Sequence, residues 1–473
     1  MIISLQRGDF LSELKRSVGL FSAVSYVLGV IIGAGIYVIL GKAAAFSGNA
    51  LWLSFLFAAF IAACTGLSYA ELASTFPYDS AEYVYTERAF KDRRFSFGIA
   101  WLKLVTTLIA TAAVSLGFGG YLSFLTGWNV VFCALLLMAV LTFFNLVGMK
   151  QALWFDSLMV ILAVAGLLLV IGFGAPEIKG FDFYLDSPGG FSGIFTGAAL
   201  IFFAFLGFEN IGNIGEEVQN PKRTLPLALI ISVIISTILY ILVAVVAVSV
   251  VPWSQLASSP SPLSDVMTAL IGTKAGFIMA IMALAATAST VIGLLIATSR
   301  MIYGLSEEHS MPQFLMKVGG KNKVPYVSVI LVAIICSFFI LWGDIASIAF
   351  LTDFGALFIF MIVNLCVIVF RYSHHHIPRG FRVPGSIGKF PIIPALGIAS
   401  CATLLFSFSK KMFFVGMVIF LSGMLIYMIF GERRFSQHVR QEFIVRPVTP
   451  VARQHEEHVK PKRLKKKAKR RSK

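Results

Sequence analysis

Two stretches decide how this chain folds: GVIIGAGIYVIL at residues 29–40 and ALIFFAFLGFENIGNIGEEVQNPKRTLP at residues 199–226. Each is a long apolar run interrupted near its middle, the first by Gly33-Ala34-Gly35 and the second by Gly207, with Glu209 two residues on. Glycine inside a helix is about 1 kcal/mol less favourable than alanine, and it exposes backbone groups that something else must satisfy. In a bilayer, irregular backbone is tolerated only where it is buried in protein or lines a cavity. Either break alone could equally serve close packing between helices. Two breaks at corresponding places, in the first and sixth apolar spans, point instead to an inverted-repeat transporter with its site at the midplane.

The surrounding sequence is that of a membrane protein. Of 473 residues, 58% are hydrophobic and only 13% charged, with a mean hydropathy of +0.86. A soluble chain of this length would need far more polar surface. A crossing takes about 20 residues at 1.5 Å each. The apolar runs are continuous rather than alternating, so helices are expected and a barrel is not. Hydropathy gives about twelve spans, near 18–40, 50–75, 96–125, 129–147, 152–174, 192–214, 225–250, 275–305, 326–341, 345–370, 390–407 and 412–430. The fold class is therefore all-α and polytopic. Residues 1–17 form an N-terminal segment, 18–430 the transmembrane domain, and 431–473 a tail. Within the domain, repeat one covers about 18–174, repeat two about 192–370, and two extra helices about 390–430.

Charge sets the expected orientation. With the N-terminus inside, eighteen Lys/Arg before the tail fall on the inner side, against Lys42, Lys179, Lys274, Lys410 and Lys411 outside. This is a positive-inside bias, and it makes both termini cytoplasmic, with the cell membrane the expected location. The N-terminus shows no cleavable signal pattern. The tail carries fifteen Lys/Arg and four Glu, a net of +11 out of the chain's formal +16. Such a segment is read as solvated chain attracted to anionic lipid headgroups, not as a nucleic-acid site. A sorting signal or a partner-binding site is the alternative. The five cysteines lie in apolar runs without metal or redox spacing, as small buried side chains do. His374-His375-His376 has no companion ligands, and no metal site is read there.

Further motifs make the pattern specific. Besides GVIIGAGIY (29–37) and FFAFLGFENIGNIGEEVQNPKRTLP (202–226), the chain carries SYAELASTFP (68–77), EYVYTERAF (82–90), SRMIYGLSEEHSMP (299–312) and FRVPG (381–385). On these segments, which cover the first ten spans in order, the chain resembles the amino acid permeases of the amino acid–polyamine–organocation (APC) superfamily. The resemblance implies a five-plus-five inverted repeat of the LeuT-like kind with two extra C-terminal helices. It implies a site that reads the substrate backbone. A substrate carboxylate would accept hydrogen bonds from backbone N–H groups of Ala34, Gly35 and Ile36, at the positive end of a half-helix. The ammonium would donate to carbonyls of Ile31, Phe203 and Leu206, with Gly207 allowing the two chains to approach. Phe203 matches the position of an aromatic gate over the substrate.

Relatives of this kind couple to protons or sodium, or exchange substrates, so symport and antiport both stay open. The resemblance extends to a sodium site, with carbonyls of Gly29, Ile32 and Ala286 and hydroxyls of Ser289 and Thr290. Ser and Thr also commonly satisfy themselves on their own helix. Some proton-coupled relatives place a fifth-span lysine in that ion position; counting forward from GMKQA puts Ala163 there, so the lysine is absent. Glu209 is the candidate for proton coupling, since an intramembrane carboxylate is costly unless paired or protonated; a neutral glutamic acid bonded to broken backbone is the alternative. No cofactor is expected beyond Na⁺ or H⁺.

The remaining charges read more plainly. Lys103 is expected to snorkel from the end of span three. Asp156 is placed one turn into span five, and Glu71 near the interface. Glu216 and Glu217 are expected to salt-bridge in an inner gate. Two departures from the family stand out. Pro77-Tyr78-Asp79-Ser80-Ala81-Glu82-Tyr83 lacks the paired glycines that usually follow this proline, and Ala34 replaces a serine of some relatives. Residues 123–129 have no cysteine, so no disulfide-linked glycoprotein partner is expected. The function expected is secondary transport of an amino acid or amine; a substrate-binding sensor of the same fold is the alternative. A membrane enzyme finds no triad, metal set or phosphate loop, and a channel finds no charged ring or filter repeat.

Overall fold

The continuous apolar runs do fold as helix, apart from the two breaks. The computed structural model describes residues 18–431 apart from 34, 77–80, 215–216, 260, 308–309, 320–323, 343–344, 374–377 and 407. The expectations for Ala34, Glu216, the His374–His376 run and both terminal segments lie outside the described residues.

The chain opens with α1 (Leu20–Ile31), loses helical geometry, and resumes at a π-helical turn (Gly35–Ile39) that runs into α2 (Leu40–Ser47). Next come α3 (Leu51–Thr75), α4 (Ala81–Phe90), α5 (Arg93–Thr126), α6 (Val130–Val147) and α7 (Met149–Gly174). The second half begins with α8 (Gly190–Ile201), which tightens into 3-10 turns at Phe202–Phe205 and Phe208–Ile214. It continues through α9 (Pro221–Val250), two short helices α10 (Trp253–Ser258) and α11 (Pro262–Ile271), and α12 (Thr273–Glu307). The last helices are α13 (Tyr326–Trp342), α14 (Ile345–Ser373), α15 (Ile392–Leu405) and α16 (Lys410–Ile426). A two-residue hairpin, Ser386–Ile387 with Phe390–Pro391, precedes α15.

Among the described residues, nine stretches are long and apolar enough to cross a membrane, counting Leu20–Thr75 as one, and three further apolar helices are shorter. The chain is thus a polytopic all-α membrane protein. Helix boundaries follow local chemistry. Asp92 accepts from the N–H groups of Arg94 and Phe95 at the start of α5, and Asn129 caps α6 in the same way. Gly127 ends α5 with φ +76°, and Pro221 begins α9. The short helices α4, α10 and α11 were not expected; hydropathy sees only crossings, and these lie in the connections.

Burial separates the middle of the bundle from its periphery. The apolar window of α5 is 89% buried, whereas those of α6 and α16 are 33% and 22% buried and leave their outer faces to lipid. The two interrupted segments lie in the buried middle, packed among α3, α5, α9, α12 and α14. Val18 pairs with the strand-like residues after the second break: its N–H donates to the Glu217 carbonyl at 3.0 Å, and the Gln219 N–H donates back at 2.9 Å.

Candidate functional site

At the first break, α1 ends at Ile31 and Ile32 leaves helical space with φ −81° and ψ 84°. The second half starts at Gly35 and Ile36, where the first N–H groups of a helix have no partner four residues back. At the second break, Leu206 is extended (φ −63°, ψ 140°) and Gly207 takes φ +125°, a conformation that L side chains rarely adopt. The two breaks touch reciprocally. A Cβ on Gly35 would lie 2.2 Å from the Ala204 Cα, and one on Gly207 would lie 2.4 Å from Cγ1 of Val30. Each chain crosses the other at a residue without a side chain.

The crossing borders a small cavity of about 40 Å³. Ile31, Gly35, Phe203, Leu206 and Gly207 line it, together with Glu209 and Thr290. Ile36 is buried next to Gly35 but does not line it, and neither do Gly29, Ile32, Ala286 or Ser289. Phe203 itself is buried, only 7% exposed. The Ile31 carbonyl is already engaged: the Tyr240 hydroxyl donates to it at 2.7 Å and the Gly33 N–H at 3.0 Å. The Phe203 carbonyl accepts from the Leu206 N–H at 3.3 Å. Tyr240 reaches across from α9, its ring edge-on to Phe55 and Phe205. Sequence reasoning missed it, because a tyrosine in an apolar helix gives no signal of its own.

The wall opposite the breaks comes from α5: Lys103, Thr106, Thr107, Ala110 and Val114. Here the expectation for Lys103 is corrected. It does not snorkel; it is 4% exposed, and its Nζ lies 2.5 Å from Oε1 of Glu209. The other oxygen of Glu209 accepts from the Gly207 N–H at 2.8 Å, so one carboxylate is bonded to both the α5 lysine and the broken backbone. An ion pair is the cheaper arrangement for a lysine so far from water, because an isolated buried charge costs far more than a paired one. The bond to the broken backbone is the one the sequence reading gave as its alternative for Glu209, and the Lys103 contact is added to it.

Two more placements differ from the sequence reading. Asp156 is fully buried, and the Ser289 hydroxyl donates to its Oδ1 at 2.6 Å. A Cβ on Gly29 would lie 2.7 Å from that same oxygen. Val160 Cγ2 is equally near, but it is Asp156 that meets Ser289; Ala163 lies elsewhere, its carbonyl accepting from the Tyr37 hydroxyl at 2.7 Å. Asp156 and Ala163 are seven apart, about two turns on one helix face, so a count in units of turns slides along the helix by some 10 Å without changing its direction. Nearby, the Thr290 hydroxyl is 3.0 Å from the Gly29 carbonyl and 3.3 Å from that of Ala286.

Glu71, expected at an interface, is 1% exposed. It accepts from Arg371 at 2.6 Å and 3.1 Å, from Arg379 at 3.0 Å and from the Val383 N–H at 2.8 Å, tying α3 to the end of α14 and the FRVPG segment. Glu217 is buried and pairs with Arg300 of α12 at 2.8 Å, so the segment after the second break is also anchored. Among the described residues, no group of three metal-ligating side chains occurs.

Comparison with known proteins adds the family. The profile of the family described as "Amino acid permease" matches residues 18–431. The chain is 31% identical over 442 residues to a branched-chain amino acid permease, BcaP, of Bacillus subtilis, an alignment covering 89% of this chain and 94% of that protein. It is 27% identical over 441 residues to a methylthioribose transporter of the same organism, with the same coverage of 89% and 94%. A vacuolar cationic amino acid transporter 4 of Arabidopsis thaliana is 29% identical over 399 residues, covering 78% of this chain and 66% of that one.

Proposed function

Because the chain belongs to the amino acid permease family of the APC superfamily, we propose that it carries an amino acid or related amine across the cell membrane by alternating access. The observation that carries this reading is the reciprocal crossing of two broken helices at one cavity. Discontinuous helices at a repeat interface are how many transporters hold a substrate at mid-membrane. In this scheme the carboxylate sits at the opening of the half-helix, on N–H groups of Ala34, Gly35 and Ile36. The ammonium turns to the carbonyls of Ile31, Phe203 and Leu206. Tyr240 and the Gly33 N–H hold the first of these carbonyls, and the ammonium would take the place of one of them. Phe203, packed at the crossing, closes over the substrate.

The rest of the cavity supports an aliphatic side chain. Val30, Val114, Leu294 and Ala356 face it, and the charges of Lys103 and Glu209 are spent on each other. That the chain is similar to a branched-chain amino acid permease of Bacillus subtilis supports this choice. The same reading includes twelve spans, a five-plus-five inverted repeat with two added helices, and cytoplasmic termini whose basic tail meets anionic headgroups. Two places are open to a coupling ion: Glu209 for a proton, and the meeting of α1, α7 and α12 for a metal cation.

Uptake of radiolabelled leucine into proteoliposomes tests the proposal. Accumulation above protein-free vesicles, accelerated by unlabelled leucine inside, is expected. Leucine binding with no flux across a panel of labelled amino acids would refute transport.

A further inference from the structure

The ion pair of Lys103 and Glu209 lies in the wall of the substrate cavity, not away from it. The two residues are 4% and 2% exposed. Glu209 has the makings of a receptor for an ammonium group. Its Oε2 is held by the Gly207 N–H at 2.8 Å, which leaves Oε1 turned to the Lys103 Nζ. Asn210 also lines the cavity; its Nδ2 is 3.5 Å from Oε1 of Glu209, and its buried Oδ1 has no hydrogen-bond donor. A second acid, Glu82 of α4, feels the charges of both Lys103 and Glu209 and keeps a buried Oε2 that nothing bonds. Two acids thus act on a single ammonium, with an amide oxygen beside them unused. Among the described residues, the other buried bases are committed, Arg300 to Glu217 and Arg371 to Glu71.

We propose that Lys103 sets the charge selectivity of the cavity: its ammonium occupies an acidic subsite, built by Glu209 and Asn210, that would otherwise take the cationic side chain of a basic amino acid. The subsite is placed for that role. The Leu206 carbonyl, one of the acceptors assigned to the substrate ammonium, and the Gly207 N–H that holds Glu209 are two sides of one peptide group. Standard peptide geometry puts that carbonyl oxygen about 5 Å from the bound Glu209 oxygen. A side chain of ornithine or lysine length reaches from one acceptor to the other. With Lys103 present it loses the place, because a tethered group competes at an effective concentration that is millimolar even for a short flexible linker. Lys103 is in turn held by Glu209, so an acidic side chain finds no free ammonium. A substrate charged with either sign then buries that charge without a partner, which is costly, whereas a neutral side chain does not. The inference rests on the transport reading and adds the residue that decides which substrates are admitted.

Binding is read apart from flux, so that the subsite and transport can fail separately. In proteoliposomes of the unaltered full-length protein, norleucine should compete with labelled leucine, whereas L-lysine and L-glutamate in large excess should not. Inhibition by either charged amino acid as strong as that by norleucine overturns the proposal without any variant. Lys103→Ala then opens the subsite. In detergent, L-lysine or L-ornithine should raise its Tm with a midpoint at least about tenfold lower than in the unaltered protein, the least that one charge-assisted hydrogen bond confers. Norleucine, nearly the same size, should show no such gain. n-Butylammonium supplies the amine without the amino acid backbone and should raise Tm less than L-lysine at equal concentration. An equal rise would set the space beside Glu209 apart from the substrate site and overturns the proposal. The double variant Lys103→Ala, Glu209→Gln should lose the gain. An unchanged lysine midpoint in Lys103→Ala, or a gain that the double variant keeps, also overturns the subsite and leaves leucine transport standing. Where Lys103→Ala proves too unstable to purify, Glu209→Gln gives the test with the sign reversed: it should gain binding of L-glutamate, and no gain overturns the proposal. Lysine binding by Lys103→Ala in a protein that moves no amino acid supports the subsite and counts against transport.

Discussion

Alanine at position 35 adds a single methyl group to the crossing, and the structure says where it goes. The new Cβ would lie 2.2 Å from the Ala204 Cα, 2.5 Å from its Cβ and 2.9 Å from its nitrogen. Ordinary contact begins at 3.4 Å, so the two chains must part by about 1.2 Å. The obstacle is mainly backbone, and no flexible side chain can swing aside. Overpacking of this kind costs roughly 1–3 kcal/mol of stability. Displacement of positioning groups by about 1 Å costs about 100-fold in rate, and it is the second effect that decides the phenotype. Gly35→Ala is therefore expected to reach the membrane and to lose about 100-fold in kcat/KM for leucine uptake in proteoliposomes. Gly120→Ala is the control. It lies inside α5 with nothing within 4 Å of its added Cβ, so uptake should be unchanged and stability equal or up to about 1 kcal/mol higher. Uptake by Gly35→Ala within threefold of the unaltered protein would refute the claim that the crossing needs a bare backbone.

Lys103→Met should be among the most damaging single changes outside the breaks, because it strands Glu209; about 3–5 kcal/mol is expected. The double variant with Glu209→Gln should recover part of that in detergent Tm, and no recovery would mean the pair is not a unit. Tyr240→Phe removes only the donor to the Ile31 carbonyl, worth about 1 kcal/mol, and should raise KM for leucine several-fold with the fold intact; an unchanged KM would detach Tyr240 from the site. Glu71→Ala leaves Arg371 and Arg379 without their shared acceptor and should lower Tm strongly, whereas Glu71→Gln, which keeps one acceptor oxygen and the side chain's volume, should do so less; equal losses would mean that the remaining oxygen contributes nothing.

What could be read in the chain was whatever the bilayer forces into one dimension. Span existence follows from length and hydropathy, whereas the caps at Asp92, Gly127, Asn129 and Pro221 that end α5, α6 and α9 came from the structure. Gly35 and Gly207 could be singled out because a glycine in the middle of a span breaks a rule that the rest of the span obeys. Their mutual geometry was not legible, since Ala204 and Val30, the residues they press against, are ordinary members of apolar runs. Charged side chains were misread for a related reason. Hydropathy records that Lys103 and Asp156 lie in spans, but not which way those faces turn, and the same helix face can meet lipid headgroups, a carboxylate or another backbone.

That difference in what each face meets also explains why snorkelling was the wrong rule for Lys103. Snorkelling needs a path from the helix to water along a lipid-facing stripe. α5 has no such stripe: its apolar window is 89% buried, and the threonines that follow Lys103 at positions 106, 107 and 111 donate to carbonyls four residues back on their own helix. A lysine in that setting must find its counter-charge inside the protein. The nearest span with an acid at a break supplies Glu209, whose second oxygen takes the one N–H that Gly207 frees. The same carboxylate thus neutralises α5 and caps the broken helix. Removing the break while keeping the acid would leave the lysine paired and the second carboxylate oxygen without its N–H. Removing the acid would leave both the lysine and the Gly207 N–H without partners, so the two features depend on each other for physical reasons that begin with one glycine.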